Sequence, residues 1–501
     1  MIGIVVSRAD RASTHIAERL LAPTEWTERT DASRTDAEGG GTYHTLDAVD
    51  APVAPAGDDA NDADGADGAN EGARRFEIRT FDELHIHLDD PTPVFSEDPE
   101  FLVFVSRHSG DTGPLLTCHF TGNFGDAEYG GDPGSFAPAC PGVQRALVAG
   151  FDEHAPDGYD VAIEGTHHGP TELATPAVFA ELGSDDEQWD DPAGADAVAR
   201  TVLDLPSRDA TVAVGDADRP RHVVGFGGGH YAPRFERVIR ETAWGVGHIA
   251  SDWQLEELGH PGERGDVLDA VVSASDAEFA LVEGEYPVLR EALAARDVRV
   301  VSETWLRAVD DRELDLVASL ESDLRAVDDG LRFGDRVADL GVDGGGDPAD
   351  AYRVVDLPAD LLAEAQGIDA DAARDAVEHH AIGFETEQAG TRAAGRAALP
   401  DGPAAGHVAG ADADAAGVSD PYDALVDDLA AVLAEKYDEV VREDGVVRAR
   451  IEAFDPERAA TLGVPEGLKF GALSAGEPVE VGGETIRPET VAREREEVFP
   501  V

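Results

Sequence analysis

Short apolar runs recur along the first 310 residues, and stretches with the spacing of amphipathic helices lie between several of them. The runs IGIVVS (2–7), FEIRTF (76–81), FLVFVS (101–106), LLTCHF (115–120), YDVAIEG (159–165), AVFAELG (177–183), HVVGFGG (222–228), FALVEG (279–284) and VRVVSE (298–303) predict strands. Helices are predicted over 13–21, with Ser13 as N-cap, and over 142–154, 194–205, 234–242, 264–273 and 287–296. Apolar strands alternating with amphipathic helices predict an α/β domain over 1–310 with a largely parallel sheet.

The pattern weakens beyond that point. Residues 311–385 predict a helical accessory region, and 386–420, rich in Ala, Gly and Asp, predict a linker. A long amphipathic helix over 421–443 opens a small α+β region that runs over 421–501. Within the first domain, 31–75 are acidic and of low complexity, with DDANDADGADGANEGA at their centre. They predict a disordered insertion without chemistry.

Charge changes this picture less than its size suggests. The 501 residues hold 104 Asp+Glu against 39 Lys+Arg, a formal net charge of −65. Only Lys436 and Lys469 are lysines, and the acid is spread over every segment. That is the composition of a cytoplasmic protein adapted to a salt-rich, halophilic cell. At ~1 M salt the Debye length is about 3 Å, so net charge excludes no tRNA partner. One window departs from the average. Over 219–250, Arg219, Arg221, Arg234, Arg237 and Arg240 face Glu236 and Glu241, a balance of +3. It is either a partly buried, glycine-rich region or an anion-binding face.

Other classes drop out. No run approaches the ~18 apolar residues of a membrane span, and MIGIVVSRAD does not read as a secretion signal. Two cysteines, Cys118 and Cys140, exclude a disulfide scaffold and a four-cysteine zinc site. Neither a phosphate-binding G-x-x-x-x-G-K-[ST] nor a G-x-S-x-G nucleophile motif occurs.

Histidines carry the candidate chemistry. Of 16, seven sit at strand ends or glycine-rich turns: His108, His119, His167, His168, His222, His230 and His248. His108 and His119 lie in SRHSGDTGPLLTCHFTGN (106–123), where adjacent strand ends can converge on a metal or a scissile bond. In EGTHHGPTE (164–172), Gly165, Gly169 and Pro170 forbid a helix, so Glu164, His167 and His168 belong to a loop. The two rings there can be ligand and general base, or two ligands. Glu181 is a further carboxylate ligand candidate. In GFGGGHY (225–231), Gly227, Gly228 and Gly229 can cradle an anion with backbone N–H groups while His230 is presented. HIHLDD (85–90) lacks the last histidine of a metallo-hydrolase motif and reads as an edge strand. His379 and His380 read as surface residues, and Cys118 as a small hydrophobe.

Four motifs in order, SRHSGDTGPLLTCHFTGN (106–123), EGTHHGPTE (164–172), FAELGSDDEQW (179–189) and VGFGGGHYAPRF (224–235), resemble the archaeal and plant type of D-aminoacyl-tRNA deacylase. The resemblance spans about 1–310. It implies an α/β fold of phosphorylase/hydrolase type and two zinc ions per subunit. It also implies a hydrolase that cleaves the ester between a D-amino acid and the 3′ end of tRNA, such as D-Tyr-tRNA. It locates the site at His108, His119, His167, His168 and His230. Within that site His167 and His168 are expected as proton carriers, and His108, His119, His230, Glu164 and Glu181 as metal ligands. Gly227, Gly228, Gly229, Tyr231, Arg234 and Arg237 are expected to bind substrate, with Arg240 beside them on the acceptor-end phosphates. No membrane and no protein partner is expected. Farther on, 463–491 resemble a short segment of a tRNA 3′-end-processing endonuclease without its metal motif. The competing readings are another hydrolase or a phosphorylase on the same fold, and a non-catalytic tRNA-binding protein.

Overall fold

The computed structural model describes residues 1–23, 25–47, 75–205, 208–213, 219–339, 351–401 and 420–501. The chain divides into two compact units, Met1–Asp311 and Arg312–Val501.

The first unit is mixed α/β. Its strands are β1 (Ile2–Ser7), β2 (Thr27–Asp31), β3 (Gly41–Asp47), β4 (Arg75–Phe81), β5 (Phe101–Arg107), β6 (Leu115–His119), β7 (Asp160–Ile163), β8 (Ala177–Gly183), β9 (His222–Phe226), β10 (Gly245–Ala250), β11 (Phe279–Val282) and β12 (Arg299–Val301). Eight of them form one sheet in the order β2-β3-β4-β1-β5-β8-β6-β7, and four form a second in the order β10-β9-β11-β12. The second sheet is parallel throughout. In the first, β4, β1, β5 and β8 run parallel, β6 turns antiparallel to β8, and β7 follows β6. Every residue of β1 is buried, as the unbroken run IGIVVS requires of a central parallel strand.

Register builds the floor of the site. Ser106 of β5 pairs with Glu181 of β8, which pairs with Thr117 of β6. One row on, Phe104, Phe179 and His119 align in the same way. Because strand side chains alternate between faces, both rows project from one face of the sheet. Phe104 and Phe179 stack with centroids 4.8 Å apart, and His119 stacks on Phe179 at 5.1 Å.

Several elements differ from the sequence expectations. Residues 31–47 are not part of a structureless insertion: β2 and β3 form an antiparallel ribbon on the edge of the sheet. The reason is Arg79 of β4, 2% exposed. Its guanidinium reaches Glu77 at 2.7 Å and Asp31 at 3.2 Å and lies 3.6 Å from the Tyr43 ring centroid. A buried arginine thus pins a polar segment that has no apolar pattern of its own. The rest of the insertion, 48–74, lies outside the described residues. The first helix, Arg11–Leu21, is capped by Asp10, whose side chain accepts from Ser13 N at 3.1 Å. Ser13 itself receives the Ser7 amide at 3.0 Å. HIHLDD is no edge strand, because His85–His87 form a 3-10 turn. The strand β10, GVGHIA, escapes the sequence pattern because glycines and a histidine interrupt its apolar run.

The second unit contains more strand than its sequence pattern suggests. Strands β13 (Leu331–Phe333), β14 (Tyr352–Asp356), β15 (Gly383–Glu387) and β16 (Arg392–Pro400) form an antiparallel sheet, where a helical region and a linker were expected. Strand β16 reads as linker because its inward residues are alanines; Ala393, Ala397 and Ala398 are nonetheless buried. Residues 402–419 lie outside the described residues. The expected helix over 421–443 ends at Leu433, and its tail is strand β17 (Glu439–Glu443). That strand pairs with β18 (Val446–Phe454), which also holds β21 (Ala492–Pro500), while β19 (Val479–Val481) and β20 (Glu484–Ile486) form a hairpin. Leu361, Leu425 and Leu429 anchor the unit's main apolar core. No helix among the described residues is long and apolar enough to cross a membrane.

Candidate active site

The site is built upward from the β5-β8-β6 floor. Ser106 Oγ donates to Glu181 Oε1 at 2.7 Å and fixes that carboxylate. His119 closes β6; its Nδ1 lies 3.0 Å from the Phe120 carbonyl, and its Nε2 lies 3.5 Å from Glu181 Oε1. His108 follows β5, tied by its amide to the Leu182 carbonyl at 3.0 Å and by its own carbonyl to Trp189 Nε1 at 2.9 Å.

Glu164 follows β7, and its amide donates to the Cys118 carbonyl at 3.1 Å. Beyond it the loop is clamped. Thr166 donates its amide to the Ile249 carbonyl at 2.8 Å, and Gln254 donates to the Thr166 carbonyl. The His167 and His168 rings lie with Nδ1 2.8 Å and 2.7 Å from the carbonyls of Gly165 and Gly169. His168 holds φ at 49°, a left-handed conformation rarely occupied by residues other than glycine. His119, His167 and His168 therefore share one arrangement. Nδ1–H donates to a backbone carbonyl, which fixes the tautomer and leaves the Nε2 lone pair for a ligand or proton. Their ring centroids lie 4.2–4.8 Å apart.

His108 Nδ1 sits between two buried carboxylates, 3.3 Å from Glu164 and 3.6 Å from Glu181, and its Nε2 is 3.1 Å from Tyr231 Oη. Burial opposes charge on this ring, but the two carboxylates outweigh it and push its pKa up to about 11. Burial likewise opposes charge on Glu164 and Glu181, and neighbouring imidazoles hold both below the usual carboxylate range. His230, in the glycine-rich loop after β9, brings Nε2 to 2.9 Å from Glu164 Oε2. Burial, then the charge on His119, lowers the pKa of His167 to about 4; burial, then His167, lowers that of His168.

Three groups can each hold a metal ion, with ligand atoms within 4.8 Å of one another: His119, His167 and His168; His108, Glu164 and Glu181; and Glu164, His167 and His230. The first two share no residue. Each contains a buried polar atom without a hydrogen-bond partner, His119 Nε2 in one and Glu164 Oε1 in the other. Two carboxylates converging on a low-dielectric pocket demand a counter-cation. The residues therefore fit a pair of metal ions. All of these residues except the fully buried His119 line a cavity of about 310 Å³, together with Asp10, His85 and Phe179.

Five of the seven singled-out histidines thus converge. The other two are structural. His222 lies between the Ser275 carbonyl and the Val212 amide, and His248 between Thr166 Oγ1 and the Ala137 carbonyl. Cys118 is buried, as its strand position suggests. His85 packs against Phe104 and Phe179, both at 5.8 Å. The arginines of the +3 window stand apart. Arg237 grips Glu303 at 2.7 and 2.8 Å, Arg234 reaches the same carboxylate at 3.5 Å, and Arg240 pairs with Glu236 at 2.7 Å and with Asp152. Neither Arg234 nor Arg237 lines the cavity. Gly227 gives its amide to the Ala250 carbonyl and Gly228 to Asp252, so neither N–H is free to cradle an anion. Gly229 stands in open space. Sequence reasoning passed over Tyr129 and Trp253 at the cavity rims, where lone aromatics in polar segments gave only a weak signal.

Buried carboxylates and imidazoles on an α/β scaffold, able to hold cations beside a cavity, are equipment that a hydrolase uses. The family model described as D-aminoacyl-tRNA deacylase matches residues 95–300. A D-aminoacyl-tRNA deacylase of Halorubrum lacusprofundi is 51% identical, over 100% of this chain and 97% of its own. The chain belongs to the D-aminoacyl-tRNA deacylase family. The enzyme of that name from Natronomonas pharaonis is 45% identical over 100% of both chains. A crystal structure of a conserved protein of unknown function aligns with 61% of this chain and 96% of its own, at 25% identity and a TM-score of 0.48.

Proposed function

We propose that the protein hydrolyses the ester joining a D-amino acid to the 3′-terminal ribose of tRNA, with two zinc ions held in the histidine–glutamate cluster. His119, His167 and His168 hold one ion; His108, Glu164 and Glu181 hold the other. The observation that carries this reading is His119 Nε2, buried with no hydrogen-bond partner, beside two rings whose Nδ1 atoms meet backbone carbonyls in the same way. Zinc bound there would supply Lewis acidity, enough to bring the pKa of a water toward ~7. His108 carries the balancing proton between the carboxylates when no ion is present and releases it when one binds.

This shares out the roles differently from the sequence expectation. His167 and His168 become ligands, because backbone carbonyls hold their Nδ1 atoms. His230 becomes the proton carrier. Glu164 accepts its Nε2–H, and its Nδ1 has no hydrogen-bond partner. As the water oxygen bonds to the carbonyl carbon and the bond to ribose breaks, His230 takes the water proton and returns it to the ribose oxygen. Tyr231 holds the far side of His108. The salt-adapted composition suits this work to a halophilic cytoplasm.

The test is release of D-tyrosine from D-Tyr-tRNA in molar KCl, before and after chelation, with L-Tyr-tRNA as counter-substrate. Cleavage of the D-ester alone, lost on chelation and regained with zinc, is the expected result. Activity that survives both chelation and His167→Ala overturns the zinc–histidine mechanism.

A further inference from the structure

Beside the histidine cluster lies a second cavity of about 320 Å³, which shares Ser109, Tyr129, His167, His168 and His230 with the first. A ligand held at the histidines has both cavities open to it. The rim of the second cavity carries Tyr129, 66% exposed, and Trp253, 41% exposed. These are the only aromatics among the exposed large hydrophobics of the described residues. Trp253 belongs to the helix Asp252–Leu258, whose buried residues are Gln254, Leu255 and Leu258, so packing does not require its ring. That ring lies 6.2 Å from the ring of His230.

One turn along the same helix face stands Glu257, and Asp126 and Glu128 line the cavity with it. Burial, then the charges of Glu128 and Asp126, raise the Glu257 pKa. No Lys or Arg lines this cavity. Away from the histidines it offers aromatic faces and carboxylate acceptors without a Lys or Arg. A phosphate is unsuited to it; a flat heterocycle that donates hydrogen bonds fits. Adenine is such a group, with a π face and an exocyclic amine. The ribose that carries the aminoacyl ester of every tRNA is that of a terminal adenosine.

We infer that the second cavity is the subsite for this adenosine, with the adenine stacked on Trp253 and its amine donating to Glu257. The inference rests on the deacylase reading. The aminoacyl group then lies in the first cavity, across the histidines from the base.

The test compares kcat/KM for 3′-O-D-tyrosyl-adenosine with that for D-tyrosine methyl ester. Wild-type protein is expected to prefer the nucleoside ester. Trp253→Ala is expected to cut that preference about 5- to 100-fold, mainly through KM, and Trp253→Phe to restore most of it. Wild-type protein should also favour tyrosyl-adenosine over tyrosyl-inosine, which lacks the amine, and Glu257→Ala should erase that difference. If wild-type protein also fails to cleave D-Tyr-tRNA, the deacylase reading fails and the subsite falls with it; if it cleaves D-Tyr-tRNA but not the nucleoside ester, the deacylase reading stands and the subsite is overturned. If it cleaves both esters without preference, or if Trp253→Ala slows both alike, the deacylase reading stands and the subsite is overturned.

Discussion

The histidine cluster and the arginine-bearing helix Pro233–Glu241 both stand out from an acidic chain, and they differ in what surrounds them. On the helix, Arg234, Arg237 and Arg240 each meet a carboxylate, Glu303 or the pair Glu236 and Asp152. In the cluster, His230 Nδ1 is buried without a hydrogen-bond partner. His119 Nε2 and Glu164 Oε1 have only longer ionic contacts, 3.5 Å to Glu181 and 3.3 Å to His108. On the helix Arg234 Nε alone shares that condition, 3.5 Å from Glu303. The difference has a simple origin. A surface with 104 acidic residues supplies a carboxylate to almost any guanidinium that reaches it. In the cluster, backbone carbonyls take Nδ1 of His119, His167 and His168 and leave Nε2, while His108 and His230 face carboxylates. In such a composition a local surplus of arginine says little about anion binding. A buried atom without a partner says more, since burial of such an atom costs about 1–3 kcal/mol unless a ligand relieves it.

The largest break in this comparison comes from the cluster. Glu164→Gln removes the carboxylate that faces His108, His167 and His230. D-aminoacyl ester turnover is expected to fall about 10²- to 10⁴-fold, with zinc content reduced by elemental analysis. A variant that keeps both its zinc and its turnover would dissolve the distinction between the two regions.

The convergence of the candidate site was legible in the sequence because its residues fall at places where strands end: His108, His119, Glu164 and His230 follow or close apolar runs. Glu181 was legible as a carboxylate within a buried strand, where a charge needs a reason. What the residues do to one another was not legible. The proposed split between ligand and proton carrier rests on which ring nitrogen meets a carbonyl, as at His167 and His168, and no spacing encodes that. His222 and His248 looked alike in sequence and proved structural, because their partners, Ser275 and Ala137, come from distant elements. In the fold, the central strands were readable from unbroken apolar runs. The ribbon β2-β3 was not, since a buried Arg79 and an aromatic face hold it, and strand β16 hid behind alanines.

A second contrast lies within the histidines. Burial pushes the His248 pKa from its ordinary 6.5 down to about 4. Between those values the unfolded chain binds a proton that the folded one refuses. Stability is therefore whole above about pH 6.5 and is lost as pH falls through about 4, by about 3 kcal/mol for this group. Chemical denaturation from pH 7 to 4 should show that loss among those of the other buried histidines, and His248→Phe, beside Phe120 and Phe136, should make the slope shallower by its share. An unchanged acid slope in that variant would show that His248 is not buried neutral.

Metal should stabilise the protein by a comparable amount through the cluster alone. Zinc at about 100 times its dissociation constant adds about 2.7 kcal/mol. The shift in Tm should grow with rising pH, because the ion displaces the His108 proton. His167→Ala should shrink it, and Arg237→Ala should not. A zinc-induced Tm shift of equal size in all three proteins would place the ion elsewhere.

The smallest effect is expected on the arginine helix, and it is the sharpest test of the comparison. Arg237 is exposed and held by Glu303. If that pair is only a surface contact, Arg237→Ala should change KM for D-aminoacyl-tRNA by less than about two-fold, as exposed ion pairs contribute little. The slope of log kcat/KM against log salt should also stay put. A phosphate contact at Arg237 would instead lower that slope by about 0.7 to 0.9. A measured drop of that size would mean that Glu303 gives way to the acceptor end, and that paired arginines here are held in reserve for tRNA.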